Sequence, residues 1–128
     1  LATIIESANL KVRRKHHPAT LTFQALRIAV NGEIKELEST LDDSLSLLGI
    51  GGRLAVITYH SLEDRIVKNF IKRGTSKCDC PPLNLECTCT INPSIKIINK
   101  KPITPSSTEI SSNPRSRSAK MRVIERII

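Results

Sequence analysis

The sequence predicts an α/β fold. Three observations carry that reading: an apolar stripe at helical spacing from Phe23 to Leu48, a glycine turn leading into the unbroken apolar run Leu54-Ala55-Val56-Ile57, and a polar turn at Thr58-Tyr59-His60-Ser61 that opens a second helical pattern. A helical bundle would lack the apolar run, and an all-β domain would lack the stripe.

Residues 1–10 place apolar side chains at Leu1, Ile4, Ile5, Ala8 and Leu10, the spacing of the last turns of a helix, and the chain opens on Leu1 rather than Met. The expectation is a fragment whose helix begins upstream. The basic stretch Lys11-Val12-Arg13-Arg14-Lys15 follows, and Pro18 disfavours helix at His17, so the cluster is expected on a loop. From Thr20, read as an N-cap, apolar residues recur at Phe23, Leu26, Val30, Ile34, Leu37, Leu41, Leu45 and Leu48. Gly32 costs about 1 kcal/mol relative to Ala inside a helix, and Ser39-Thr40 with Asp42-Asp43 offers a further cap. One kinked helix or two helices sharing the stripe are expected.

Gly49, Gly51 and Gly52 suit a helix C-terminus. The apolar run after them suits a strand buried on both faces, as in parallel sheets. Ser61 is expected to cap a helix from about Leu62 to Lys72, with Asp64 completing an approximate capping box. Residues 74–94 read as a long Cys/Pro-rich loop, Ile95-Lys96-Ile97-Ile98 as a strand, and Pro102 to Pro114 as a polar connection. Ala119-Lys120-Met121-Arg122-Val123 alternates apolar with basic residues, the pattern of an antiparallel or edge strand with one wet cationic face.

Twenty Lys and Arg oppose 12 Asp and Glu, a formal charge of +8. The charge is uneven: residues 1–17 carry +3, 18–64 carry −4 and 65–128 carry +9. An acidic, sheet-packing centre between basic edges suits an anionic partner such as nucleic acid. Three aromatics are too few for a base-stacking platform. The apolar runs fall short of the ~18 residues of a membrane span, and a cytoplasmic setting with no membrane partner is expected.

The Thr58–Ser61 turn is the leading candidate site, because ligands of open α/β sheets bind beyond the strands' carboxyl ends and a helix N-terminus attracts anions. His60 and Ser61 are the candidates for substrate positioning; for both, helix capping and space filling are the plain alternative. The entrance of the long helix, with Arg13, Arg14, Lys15, His17, Thr20, Gln24 and Arg27, and the turn carrying Arg115 and Arg117, present cations and hydrogen-bonding groups suited to RNA phosphates. Cys78, Cys80, Cys87 and Cys89 form two C-x-C pairs six residues apart. Zinc ligation, free thiols and a redox pair all stay open, since structural zinc sites more often space their cysteines by two to four residues.

Four blocks occur in one order: His17-Pro18-Ala19-Thr20 through Arg27-Ile28, Gly51-Gly52-Arg53-Leu54, His60-Ser61-Leu62-Glu63-Asp64-Arg65, and Asn113-Pro114-Arg115-Ser116-Arg117-Ser118-Ala119. Together they resemble the C-terminal part of the RsmH (MraW) family of bacterial small-subunit rRNA cytosine-N4 methyltransferases. The resemblance implies the C-terminal part of a class I, Rossmann-like, S-adenosylmethionine-dependent methyltransferase fold. Residues 1–15 would close an inserted helical substrate-binding domain, and residues 16–128 would be the end of the methyltransferase domain. It implies methyl transfer from S-adenosylmethionine, bound mainly upstream of Leu1, to the N4 amine of a cytosine in 16S rRNA, with the small ribosomal subunit as partner and no cofactor-binding residue in this chain. Leu21 departs from the family, which usually has a basic residue there. Two other classes compete: a free-standing basic RNA-binding module, zinc-stabilised through the cysteines, and a hydrolase built on His60 and Ser61.

Overall fold

The computed structural model describes residues 1–8, 17, 19–76 and 92–128. The four cysteines, with Arg13, Arg14 and Lys15, lie outside the described residues, as do most of the 74–94 loop and all of the 11–15 basic stretch. Two compact units are present, Leu1–Glu36 and Leu37–Ile128.

In the first unit, α1 (Ala2–Ala8) is a short helix without a buried residue, and α2 spans Ala19–Asn31. α2 ends where Gly32 adopts φ +65, a left-handed conformation that only glycine takes without strain, and α3 (Glu33–Leu47) begins at once. The stripe is therefore shared by two helices, with the break at Gly32; the Ser39–Asp43 region stays helical. Thr20 is not the N-cap. α2 starts at Ala19, whose N–H donates to His17 Nδ1 at 3.2 Å, while Thr20 N–H donates to the His17 carbonyl at 3.0 Å. An imidazole nitrogen thus does what a Thr hydroxyl was expected to do. Phe23 and Leu26 are about half exposed, and Val30 is 83% exposed.

The second unit is built on a three-stranded sheet in the order β1-β3-β2, where β1 is Arg53–Thr58, β2 is Ile95–Ile97 and β3 is Lys120–Arg126. β3 runs antiparallel to both neighbours, so β1 and β2 are parallel to each other and α4 (Ser61–Thr75) is the crossover between them. β3 fills the gap that crossover leaves. Two expectations change here. β3 takes the antiparallel of its two expected alternatives and is the central strand of the three rather than an edge, and β1 is not buried on both faces: Arg53, Ala55 and Ile57 are exposed. The long apolar run reflects one covered face and one that is open among the described residues.

The covered face lies under α4. Ile66, Val67, Phe70 and Ile71 of that helix are buried, as are Ile95 and Ile124 of the sheet. Contact is closest at Gly74, where an added Cβ would fall inside the Ile95 side chain. Each buried aliphatic side chain contributes about 1.5–3 kcal/mol, so this small face is the main source of cohesion in the unit.

The end of β2 is unusual. Ile98 N–H donates to the Val123 carbonyl, but the next ladder bonds are made by the Asn99 side chain, whose Oδ1 accepts from Val123 N–H at 2.6 Å and whose Nδ2 donates to the Met121 and Lys101 carbonyls. The backbone of residues 99–101 bulges away, and the chain rejoins β3 at Ile103, paired with Met121. The expected polar connection from 102 to 114 holds this bridge, a short helix α5 (Ser107–Ser112) and the start of a 3-10 turn, Pro114–Ser118.

Arg126, at the end of β3, reads from the sequence as one more solvated charge. Its Nη1 instead donates to the Leu45, Ser46 and Leu48 carbonyls at 2.5–3.1 Å, closing the C-terminus of α3. These are the carbonyls a helix end leaves without partners, and a guanidinium also opposes the negative end of the helix dipole.

Candidate functional site

The site starts at the carboxyl end of β1. Thr58 is buried and its hydroxyl donates to the Lys120 carbonyl, at the position where β1 and β3 pair Thr58 with Lys120. Because the 3-10 turn ends at Ser118, two residues before β3 starts, that register brings the turn carrying Arg115 and Arg117 to the same end of the sheet as His60 and Ser61. Arg115 and Arg117 are exposed, whereas Ser116 between them is buried and its hydroxyl donates to the Asn113 carbonyl. The turn is thus anchored by its serine and leaves both guanidinium groups outward.

His60, not Ser61, caps α4. The Glu63 N–H donates to His60 Nδ1 at 3.3 Å, and Glu63 Oε2 accepts from the N–H groups of His60 and Tyr59 at 3.1 and 2.8 Å. This is a capping box moved one residue upstream of the expected Ser61/Asp64 pair. Histidine is an uncommon cap, which is why residue preference pointed to the serine. The Asp64 N–H also bonds the His60 carbonyl, so the donors around this helix start are largely taken, and Glu63 and Asp64 place negative charge there. The anion site expected at this helix N-terminus is narrowed to the Ser61 and Leu62 N–H groups, beside an acidic first turn.

With Nδ1 accepting a hydrogen bond, the ring proton sits on Nε2. That atom is buried and 3.0 Å from Glu63 Oε1, yet it lies too far off line for a hydrogen bond and has no other partner among the described residues. His60 Nε2 is thus shielded from solvent beside the Glu63 carboxylate, without a hydrogen bond among the described residues. His60 is not placed as a base, because its only acceptor nitrogen is occupied. No hydrogen bond joins Ser61 to His60 among the described residues, so the nucleophile-and-base pair of a hydrolase is missing.

One turn along α4, the Asp64 carboxylate accepts from Arg122 Nε at 2.8 Å and lies 3.4 Å from Lys68 Nζ. The Asp64 and Arg122 side chains are 7% and 14% exposed. Burial pushes the Asp64 carboxyl up, but the hydrogen bond and charge of Arg122, joined by those of Lys68, outweigh it and hold the group below its ordinary range. The pair ties α4 to β3 directly behind the His60 turn. The alternation in the sequence put Arg122 on a wet cationic face; the register that sets it opposite Val56, under α4, overturns that.

The helix-entrance residues belong to the other unit. His17 is exposed and caps α2, with Nε2 3.8 Å from Glu6 Oε1; Thr20 is exposed and Gln24 half-buried. Arg27 is engaged by Glu33 in a forked pair at 2.9 and 3.1 Å. Among the described residues no group of three His, Cys, Asp or Glu side chains is arranged to hold a metal, and no helix is long and apolar enough to cross a membrane.

Residues 1–127 match the family model of the MraW methylase family. The chain belongs to that family. It is 59% identical over its whole length to the ribosomal RNA small subunit methyltransferase H of Dehalococcoides mccartyi strain 195, covering 37% of that protein. It is 51% identical to the proteins of the same name from Lawsonia intracellularis and Geobacter sp. strain M21, covering 42% and 41% of them. The chain thus spans about two fifths of the length of these MraW-family relatives. Its mixed α/β architecture with a small antiparallel sheet is consistent with a methyltransferase family.

Proposed function

We propose that this chain is the C-terminal portion of a class I methyltransferase that moves a methyl group from S-adenosylmethionine to the N4 amine of a cytosine in 16S rRNA of the small ribosomal subunit. The observation that carries the reading within the fold is the Thr58–Lys120 register, which gathers His60, Arg115 and Arg117 at one end of the sheet. The relatives' names and the family match supply the reaction class. The parallel β1 and β2 around an antiparallel β3 support the Rossmann-like assignment.

The donors at the start of α4 are largely occupied, and its first turn is acidic. The cofactor's contacts are assigned to the part of the relatives this chain does not cover. What this chain supplies is positioning. A cytosine amine is a poor nucleophile because its lone pair is delocalised into the ring, so the base must be held in line with the methyl donor. His60, at the strand end, is assigned to holding the base, and the proton of the methylated amine leaves through water. Arg115 and Arg117 suit the flanking phosphates, and Arg13, Arg14, Lys15, His17, Thr20, Gln24 and Arg27 form the second proposed RNA contact. The half-exposed Phe23 and Leu26 and the open edge of β1 favour part of a larger layered domain over a free-standing module.

The test is methyl transfer by the full-length protein to undermethylated small-subunit particles, read by mass spectrometry of the nucleosides. N4-methylation of one cytosine is expected; methyl incorporation on another atom, or none, overturns the reading.

A further inference from the structure

Between the second half of α4 and the end of β2, the second unit holds an open cavity of about 270 Å³. Its rim carries Lys68, Lys72, Lys100 and Arg122, and Ile71 and Ile97 supply apolar wall. One carboxylate, Asp64, serves two of the four cations, Arg122 and Lys68. Lys72 and Lys100 are exposed and have no acidic partner among the described residues. The geometry is maintained rather than accidental. The Asn99 side chain takes over the ladder bonds to β3, and the bulge this permits carries Lys100 to the rim. Arg122 is held from behind by Asp64, which itself lies one turn beyond the His60 cap. Since β1 and β2 are parallel, Lys100 and His60 follow the carboxyl ends of their strands and share one end of the sheet.

We infer that this cavity is a further RNA site, which grips the sugar–phosphate backbone away from the target cytosine. The inference rests on the proposed rRNA methyltransferase reading and adds a binding surface to it. Cations on the rim suit phosphodiester oxygens, and the isoleucine wall suits the apolar face of a ribose or base. Contact of this kind is independent of sequence and salt-dependent.

The experiment uses the full-length protein carrying Lys72→Gln and Lys100→Gln, both exposed, so that folding is preserved. The control is Arg53→Gln with Lys96→Gln, which removes the same charge from the face of the sheet opposite α4, where both side chains reach Glu125. Each lost phosphate contact lowers the slope of log affinity against log salt by about 0.7 for single-stranded RNA, so the paired substitution is expected to lower the slope by about 1.4 and the affinity about tenfold at 0.15 M salt. Binding of S-adenosylmethionine should not change. An affinity and slope equal to the control's overturn the inference. So does a loss of cytidine monophosphate binding with RNA binding intact, which would assign the cavity to a free nucleotide. Failure of the unsubstituted protein to methylate small-subunit RNA would remove the functional reading instead, and is scored separately.

Discussion

Replacing Asp64 by Asn isolates the ion pair that joins α4 to β3. In the folded protein the carboxylate is 2.8 Å from Arg122 Nε, and both side chains are largely shielded from water. Removing one partner of a buried pair typically costs about 3–5 kcal/mol, because the other charge stays buried without compensation. Asn keeps the shape and one acceptor, and the Lys68 contact it also loses is half exposed and adds less than about 1 kcal/mol. A loss of about 3 kcal/mol is therefore expected at pH 7. It should appear in urea unfolding of the full-length protein and, locally, as faster amide exchange in α4 and β3. Asp64→Leu combined with Arg122→Met removes both charges and should lie within about 1 kcal/mol of the parent. The sign of the pH dependence follows from the depressed carboxyl. Its stabilisation is complete well above the unfolded-state value near pH 4 and disappears as pH falls through the lower folded value. The gap between parent and Asp64→Asn should thus be full at pH 7 and close in strong acid. A single-variant loss below about 1 kcal/mol, or a double variant as unstable as the single one, would refute the reasoning.

Two further outcomes follow from the caps. His60→Asn keeps a cap acceptor but removes the imidazole, so thermal unfolding should shift little while methyl transfer falls, whereas His60→Ala should lose about 1 kcal/mol as well; unchanged transfer in both variants would remove the positioning role. Arg126→Ala leaves the Leu45 and Ser46 carbonyls of α3 and the Leu48 carbonyl just beyond it without this donor and should cost about 2 kcal/mol, seen as exchange at the end of α3, with Arg126→Lys restoring part of it.

Element types were legible because they are local. The stripe from Phe23 to Leu48, the break at Gly32 and the strand at Leu54–Ile57 each follow from side-chain spacing or from glycine's freedom at positive φ. Residue preference also placed the α4 cap in the right turn while choosing the wrong residue within it. It favours hydroxyls and small amides as caps, and both His17 and His60 cap with a ring nitrogen whose fit depends on the surrounding backbone.

By itself, the sequence determined the α/β class, the order of the long helices and the strands, the family and the turns that carry His60, Arg115 and Arg117. Only the tertiary structure decided that Lys120–Arg126 is the central strand, that Thr58 faces Lys120, that Arg122 turns inward to Asp64, and that Arg126 closes α3. Those outcomes join residues about 60 to 80 positions apart. Periodicity along a chain states which side of an element is apolar; only closure of the sheet states which distant charge that side will meet.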